Sequence, residues 1–139
     1  MLLEKKRPYE GLKFYKDICV IRKLIHDITE RFAKTHIRLI SQMRDAARSA
    51  KQNIREGYRK GTLPEFLHGI RISQGSLEEL SGDVEDCLED RLITKEEAEK
   101  FSTLYQSAIF MSIQYLKAMQ RVENSSKWKS YGGKVNRKK

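Results

Sequence analysis

The chain has 139 residues, 39% of them apolar, and this length allows one compact domain without a second independent core. Two prolines, eight glycines and twelve aromatic residues exclude collagen-like and wholly disordered chains and favour a helical protein. A net charge of +9 indicates a polyanionic partner, which is nucleic acid, an anionic membrane or an acidic protein surface.

Apolar residues spaced three and four positions apart begin at Leu12 and predict a first helix over residues 11–34. The pattern breaks at Thr35 and His36, and a second apolar period then predicts a helix over residues 37–60. Its alanines allow a neighbouring helix to approach closely, and Gly61 is the expected C-terminal stop.

The third and fourth helices each begin with a capping box, Thr62 with Glu65 and Thr94 with Glu97. The third helix should end near Arg91. Its predicted apolar face comprises Phe66, Ile70, Leu77, Leu80, Val84 and Leu88. The small polar run 73–76, which includes Gly75, interrupts this face where another element is expected to pass close by.

Short connections between long helices predict an all-α, antiparallel up-down-up-down four-helix bundle over residues 1–123. Residues 124–139 form a basic tail without an acidic residue, and its cations alternate with aromatic side chains. Such a segment either binds nucleic acid by stacking and charge or only keeps the protein soluble. The tail residues predicted to bind are Lys127, Trp128, Lys129, Arg137, Lys138 and Lys139.

Charge is distributed in blocks along the chain. Residues 1–61 hold 16 basic and 7 acidic side chains, residues 62–100 hold 4 and 11, and residues 101–139 hold 8 and 1. An acidic third helix is therefore set against basic first and second helices. This polarity favours binding through one face, or head-to-tail self-association.

Five cations of the second helix lie within an arc of roughly 80° and extend over about 22 Å. This cationic ridge comprises Arg44, Arg48, Lys51, Arg55 and Arg59. Like charges four residues apart oppose helix formation, so a counter-charge is expected. The counter-charge is either phosphate, which makes the ridge a nucleic-acid site, or the acids of the third helix in the same or a neighbouring subunit.

Catalysis has little support in the sequence. His26, His36 and His68 lie on different predicted segments, and no motif for a nucleophile, a metal or a nucleotide phosphate is present. Cys19 and Cys87 lack metal or redox spacing. We expect no enzyme activity, cofactor or metal. Because no apolar run reaches the length of a membrane span and no secretory signal is visible, we expect a cytoplasmic protein that does not interact with membranes.

Two segments resemble one bacterial four-helix-bundle family. The first runs from Gln42 to Arg59, and the second joins Glu65 and Phe66 to the stretch 72–80, with its Gly-Ser-Leu and Glu-Leu pairs. The family comprises proteins encoded in intervening sequences of large-subunit ribosomal RNA genes and accessory variability proteins of diversity-generating retroelements. The resemblance covers residues 9–122.

The resemblance implies a homopentamer of four-helix bundles, arranged as a barrel around a central channel. For the retroelement branch it also implies binding of a reverse transcriptase and of RNA or DNA through basic surface. The motifs do not separate the branches, but the high net charge favours an accessory protein that holds template RNA beside a polymerase. The alternative is an intervening-sequence protein with a structural or self-associating role.

At four positions the family resemblance implies an interface between helices or subunits. These positions are Asn53, Glu56, Ser76 and Glu79. We expect Asn53 and Glu56 to hydrogen-bond across to the stretch 73–76, where glycine admits a neighbouring helix. The chain departs from the family pattern at Asp45, which weakens a plain phosphate ridge. It also departs at Arg55 and in the basic tail, which strengthen that hypothesis.

Overall fold

The computed structural model describes residues 7–124, except for the side chain of Glu123, and over this range it contains helices and no strands. The four long helices are α1 (Lys13–Thr29), α2 (Ile37–Arg59), α3 (Leu63–Glu89) and α4 (Lys95–Asn124). Single 3-10 turns precede α1 and α2 at Pro8–Gly11 and Lys34–His36. The predicted four-helix all-α fold is confirmed.

Each long helix packs mainly against its two neighbours around the bundle. The α2–α3 contact is the most extensive, followed by α1–α4, α1–α2 and α3–α4. This cyclic order is that of an antiparallel up-down-up-down bundle. It places the groove between α1 and α2 on the opposite side of the molecule from the groove between α3 and α4.

The core follows the predicted helical period. Phe14, Ile21, Met43, Phe66 and Leu80 are among its fully buried side chains. One buried carboxylate, Asp17 on α1, is neutralised where α1 meets α4: it accepts hydrogen bonds from Lys13 Nζ at 2.5 Å and from Ser107 Oγ at 2.6 Å. The prediction for Leu88 is wrong, since its side chain is 40% exposed in the last turn of α3.

The first helix is shorter than predicted. It ends at Thr29, whose hydroxyl donates to the carbonyl oxygen of Ile25 at 2.7 Å, and the chain then turns through a hydrogen bond from Phe32 N to Thr29 O. Phe32 is nevertheless buried against the bundle. The apolar spacing therefore extends beyond the end of α1, because Phe32 is buried in the turn at the position where the next apolar residue of a helix would fall.

The capping boxes are confirmed at α4 and half-formed at α3. Thr94 N donates to Glu97 Oε1 at 2.9 Å, and Glu97 N donates to Thr94 Oγ1 at 3.1 Å. At α3, Thr62 Oγ1 accepts from Glu65 N at 3.4 Å, but Glu65 Oε1 accepts from the Thr62 hydroxyl instead of its amide. Gly61 has a φ of 89°, as its role as the stop of α2 requires.

Two glycines set the distance between α2 and α3. A Cβ atom at Gly69 would collide with the carbonyl oxygen of Asn53, and one at Gly57 would lie 2.8 Å from the carbonyl oxygen of Glu65. The prediction that Gly75 marks the close approach is wrong, because a Cβ atom there would meet nothing within 4 Å. The backbones of α2 and α3 are therefore closest one to two turns before the polar run.

We expect Gly69→Ala to lower the free energy of unfolding by about 1–3 kcal/mol, because the added methyl group forces two tightly packed helices apart. Gly75→Ala is the matched control in the same helix. It should raise the free energy of unfolding by about 0.5–1 kcal/mol, because alanine is the better helix former and the site is open. Urea denaturation measures both, and equal effects of the two substitutions would contradict the glycine contact.

A second expectation concerns the ion pair that joins the end of α1 to the start of α4. Arg31 donates to Glu97 through both terminal guanidinium nitrogens, at 2.5 and 2.6 Å. This hydrogen bonding lowers the pKa of Glu97 from its ordinary 4.5. A lowered pKa in the folded state gives stability that is present above pH 4.5 and is lost as the pH falls below it.

We expect Glu97→Gln to remove the loss of stability that protonation of Glu97 causes at acid pH. This contribution to the free energy of unfolding should be about 1 kcal/mol or less, because the pair of Arg31 with Glu97 is partly exposed to solvent. Glu96→Gln removes a charge from the same first turn of α4 without touching Arg31, so it should leave this pH dependence in place. Thermal denaturation between pH 3 and pH 7 compares the variants.

Candidate nucleic-acid interface

The cationic ridge lies along the groove between α1 and α2, and the structure shows two hollows in it. The first, here the Arg48 hollow, has a volume of about 220 Å³ and is lined by Arg22, His26, Arg44 and Arg48. The second, here the Arg55 hollow, has a volume of about 370 Å³ and is lined by Arg7, Tyr9, Glu10, Tyr15, Lys51, Arg55 and Arg59. All five ridge cations thus line one of the two hollows.

Arg44 is the most constrained member of the ridge. Its Nε donates to Thr29 Oγ1 at 2.8 Å, and one terminal nitrogen donates to the carbonyl oxygen of His26 at 3.2 Å. That nitrogen also lies 3.5 Å from a carboxylate oxygen of Glu30. A cation at the last turn of α1 is favoured by the helix dipole, so Arg44 contributes to the α1–α2 packing as well as to the groove charge.

Arg48 and Arg22 remain available for an anion. Arg48 is exposed and Arg22 is half-buried on the facing side of α1. None of the residues that line the Arg48 hollow is acidic. The hollow therefore offers three guanidinium groups to solvent, one of which is already held by Thr29 and Glu30.

The Arg55 hollow is closed by the short 3-10 turn before α1, which we call the strap (Pro8–Gly11). Tyr9 of the strap is buried, and its ring lies 5.0 Å from that of Tyr15 and 4.9 Å from that of Tyr58. Arg55 lines the hollow together with Tyr9 and Tyr15. The aromatic contacts therefore fix the position of the strap beside the ridge.

Burial keeps both phenols neutral. It raises the pKa of Tyr15 to about 12, and neighbouring Cys19 adds to this effect while Arg55 opposes it. Burial likewise raises the pKa of Tyr9, with Glu10 as the next contributor. Neither tyrosine carries a negative charge near neutral pH, so neither neutralises the cations of the hollow.

The ridge does not pair with the acids of its own α3. Across residues 7–124 no ion pair joins a ridge cation to Glu78, Glu79, Asp83 or Glu85. Asp83 instead accepts from Gln42 Nε2 at 2.8 and 3.0 Å. The hypothesis that the ridge pairs with the acids of its own α3 is wrong, because the ridge lies on the side of α2 that faces α1. Phosphate and the acidic residues of a neighbouring subunit remain as candidate counter-charges of the ridge.

The predicted interface residues contribute to the α2–α3 contact less directly than expected. Asn53 Nδ2 donates to the carbonyl and hydroxyl oxygens of Ser49, at 2.8 and 2.9 Å, on its own helix. It is the Ser49 hydroxyl that reaches α3, at 2.9 Å from that of Ser76. Ser73 Oγ donates to the carbonyl oxygen of Ala50 at 2.6 Å. The predicted interface residue Ser76 thus contacts α2 through Ser49, a residue that the sequence did not single out.

Glu56 and Glu79 are exposed. Glu56 lies 3.3 Å from the guanidinium of Arg59, three residues along α2, and both side chains are more than half exposed. The prediction that Glu56 bonds across to the stretch 73–76 is wrong, since it lies one turn beyond that contact and bonds along its own helix. As members of a contact between subunits, Glu56 and Glu79 stay predictions.

The predicted tail site lies outside the residues that the structure describes. It comprises Lys127, Trp128, Lys129, Arg137, Lys138 and Lys139. A contribution of the tail to nucleic-acid binding stays a prediction.

Four residues of the groove were not singled out from the sequence: Arg7, Tyr9, Tyr15 and Arg22. A signal existed for two of them, because Tyr15 and Arg22 are seven residues apart and thus lie on one side of α1. Arg7 and Tyr9 precede the helical pattern, and their position depends on how the strap folds back. No periodicity predicts that.

Other kinds of site find little support in the described part of the chain. In residues 7–124 no group of three or more His, Cys, Asp or Glu side chains is placed to hold a metal ion. Over the same residues, no helix is long and apolar enough to cross a bilayer. Cys19 and Cys87 are both free thiols.

Comparison with known proteins identifies one family. No protein with a curated description matches the sequence. A family model described as 23S rRNA-intervening sequence protein matches residues 10–114, which is three quarters of the chain and includes α1, α2 and α3 entirely. The resemblance seen in the two motifs is thereby confirmed for one of its branches, and the chain belongs to the 23S rRNA-intervening sequence protein family.

Proposed function

We propose that this protein binds RNA through the groove between α1 and α2, with little sequence preference. The observation that carries the proposal is the composition of the two hollows, which together hold seven arginine or lysine side chains and one acidic residue. Phosphate neutralises such a surface and releases counterions, which is the main source of sequence-independent affinity. The family description names ribosomal RNA, and RNA of that class is our first candidate ligand.

The spacing of the hollows supports contact with more than one phosphate. Arg48 and Arg55, one in each hollow, are seven residues apart on α2, which corresponds to about 10 Å along the helix axis. A strand that follows the groove would therefore contact both hollows in turn. Seven of the eleven residues that line the two hollows are arginine or lysine, which favours contact with backbone phosphates over base recognition.

Bound phosphate would also relieve repulsion within the protein. Ridge cations four residues apart destabilise α2 by a few tenths of a kcal/mol per pair. Among the ridge cations of the described residues, only Arg44 and Arg59 have acidic partners, and the pair of Arg59 with Glu56 is solvent-exposed. A polyanion in the groove is the counter-charge that Arg48, Lys51 and Arg55 lack.

The role is proposed to be binding rather than catalysis. The family description fits the intervening-sequence branch better than the retroelement branch. Binding of DNA, of a reverse transcriptase and of its template RNA stays a prediction carried by the sequence resemblance. A reverse-transcriptase gene with paired repeats beside the coding sequence would favour it, and a position within a ribosomal RNA gene would favour the structural alternative.

Self-association is the second part of the proposal. The basic α1–α2 groove lies opposite the α3–α4 side, and residues 62–100, which comprise α3 and the start of α4, hold 11 of the 19 acidic residues. Opposite charges on opposite sides favour head-to-tail contacts, which close into a ring if the rotation permits. The family resemblance makes the expected number of copies five.

Reversing two ridge charges should greatly weaken RNA binding. We expect Arg48→Glu combined with Lys51→Glu to lose most affinity for a single-stranded RNA. For the unaltered protein, log K should fall against log salt with a slope of about −0.7 per phosphate contacted. Lys51 is chosen over Arg55 because Arg55 lines its hollow together with two buried tyrosines. Fluorescence anisotropy across a salt series measures both quantities.

The matched control is Lys95→Glu with Lys100→Glu, which changes the net charge equally on exposed positions of α4. It should leave RNA binding nearly unchanged. If the ridge variant binds RNA normally and forms smaller oligomers, the ridge is a subunit interface. Nucleic-acid binding would then depend on residues 125–139, and their deletion would test it.

Light scattering at physiological salt should give the mass of five copies of the 16.3 kDa chain. Raising the salt should weaken the assembly, because contacts between exposed opposite charges are screened. A strictly monomeric mass at micromolar concentration would contradict both the charge argument and the pentamer implied by the family.

A further inference from the structure

The Arg55 hollow differs from the Arg48 hollow in its size and its lining. The strap, α1 and α2 each supply part of its wall, whereas the Arg48 hollow is lined by α1 and α2 alone. Its volume of about 370 Å³ falls within the range of small-molecule sites, and that of the Arg48 hollow is about 220 Å³. Residues from three elements thus converge on one place, which suits a single bound group.

Charge in this hollow is concentrated around one place. Arg7, Lys51, Arg55 and Arg59 line it, and Glu10 is its only acidic lining residue. Glu10 Oε1 already accepts a hydrogen bond from the backbone amide of Arg7 at 3.2 Å. Four cations against one carboxylate leave a strong positive excess, which a single bound anion of high charge would neutralise.

Arg55 lines the hollow together with Tyr9 and Tyr15, and both tyrosines are buried. A guanidinium has five N–H donors in a fixed plane, and it can direct several of them at one anion. The planar fork matches two oxygens of one phosphate group.

We propose that the Arg55 hollow binds a terminal phosphate monoester, such as the phosphorylated end of an RNA strand or a free nucleotide. A monoester carries about −1.5 to −2 charges near neutral pH and has three acceptor oxygens. A phosphodiester within a strand carries one charge, which the three guanidinium groups of the Arg48 hollow can neutralise as well. The inference deepens the proposed RNA binding and rests on it.

The test compares two short RNAs of identical sequence, one with a 5′-phosphate and one with a 5′-hydroxyl. The full-length protein should bind the phosphorylated strand about tenfold more tightly, as expected for added charge-assisted hydrogen bonds. Arg55→Gln should abolish this preference and retain salt-dependent binding of both strands. Arg48→Gln, the control in the neighbouring hollow, should weaken both strands equally and keep their ratio.

Two further variants guard against misfolding at Arg55. Arg7→Gln alters an exposed side chain of the hollow and should reduce the preference without loss of helical circular dichroism. Tyr15→Phe keeps the buried ring and removes the hydroxyl of a residue that lines the hollow beside Arg55, so it should reduce the preference for the phosphorylated strand. If Arg7→Gln and Tyr15→Phe both leave the ratio unchanged, the hollow is not the site.

Competition by adenosine 5′-monophosphate distinguishes the two sources of the phosphate. Competition at concentrations similar to those of the RNA identifies a free nucleotide as the ligand. Competition only at a large excess identifies the RNA end. If the unaltered protein binds both RNAs equally and the monophosphate does not compete, the inference about the hollow is overturned and RNA binding stands. If neither RNA binds, the proposed function is overturned together with the inference.

Discussion

The close contact of α2 and α3 through Gly57 and Gly69 is the constraint on which the rest of this structure depends. Because neither position tolerates a Cβ atom, the two helices have one permitted rotation about their axes. That rotation directs Ser49 towards Ser76 on α3. It leaves the charged side of α2 facing α1, where the groove forms.

The same rotation explains why one helix serves both the core and the surface. On α2, alanine and glycine occupy the sides against the core and α3, so the backbone lies deep in the bundle. Long cationic side chains can then start from a position close to the core and still reach solvent along the groove. Arg44 shows the outcome, since its stem crosses to the last turn of α1 while its charge remains partly exposed.

Sequence patterns predicted the elements well and the site in part. Helix starts were accurate because a capping box such as Thr94 with Glu97 is a local hydrogen-bonding device. The end of α1 was misplaced because the burial of Phe32 does not depend on its being helical. Gly75 was preferred to Gly69 for a similar reason: composition identifies glycines, but only tertiary packing determines which of them faces a neighbouring backbone. The ridge was visible as a pattern on α2, whereas its α1 partners and the strap require the folded arrangement.

The two thiols of the chain have opposite environments. Burial raises the pKa of Cys87 to about 11, with Asp83 as the next contributor, and its Sγ lies 3.7 Å from the sulfur of Met43 in the core. Cys19 is half-buried beside Tyr15 and packs against the edge of the core. Since only thiolates react readily with alkylating reagents, Cys87 becomes reactive only when the bundle opens. Cys19 keeps part of its surface in the folded bundle, so alkylation of Cys87 is the chemical reporter of unfolding in this chain.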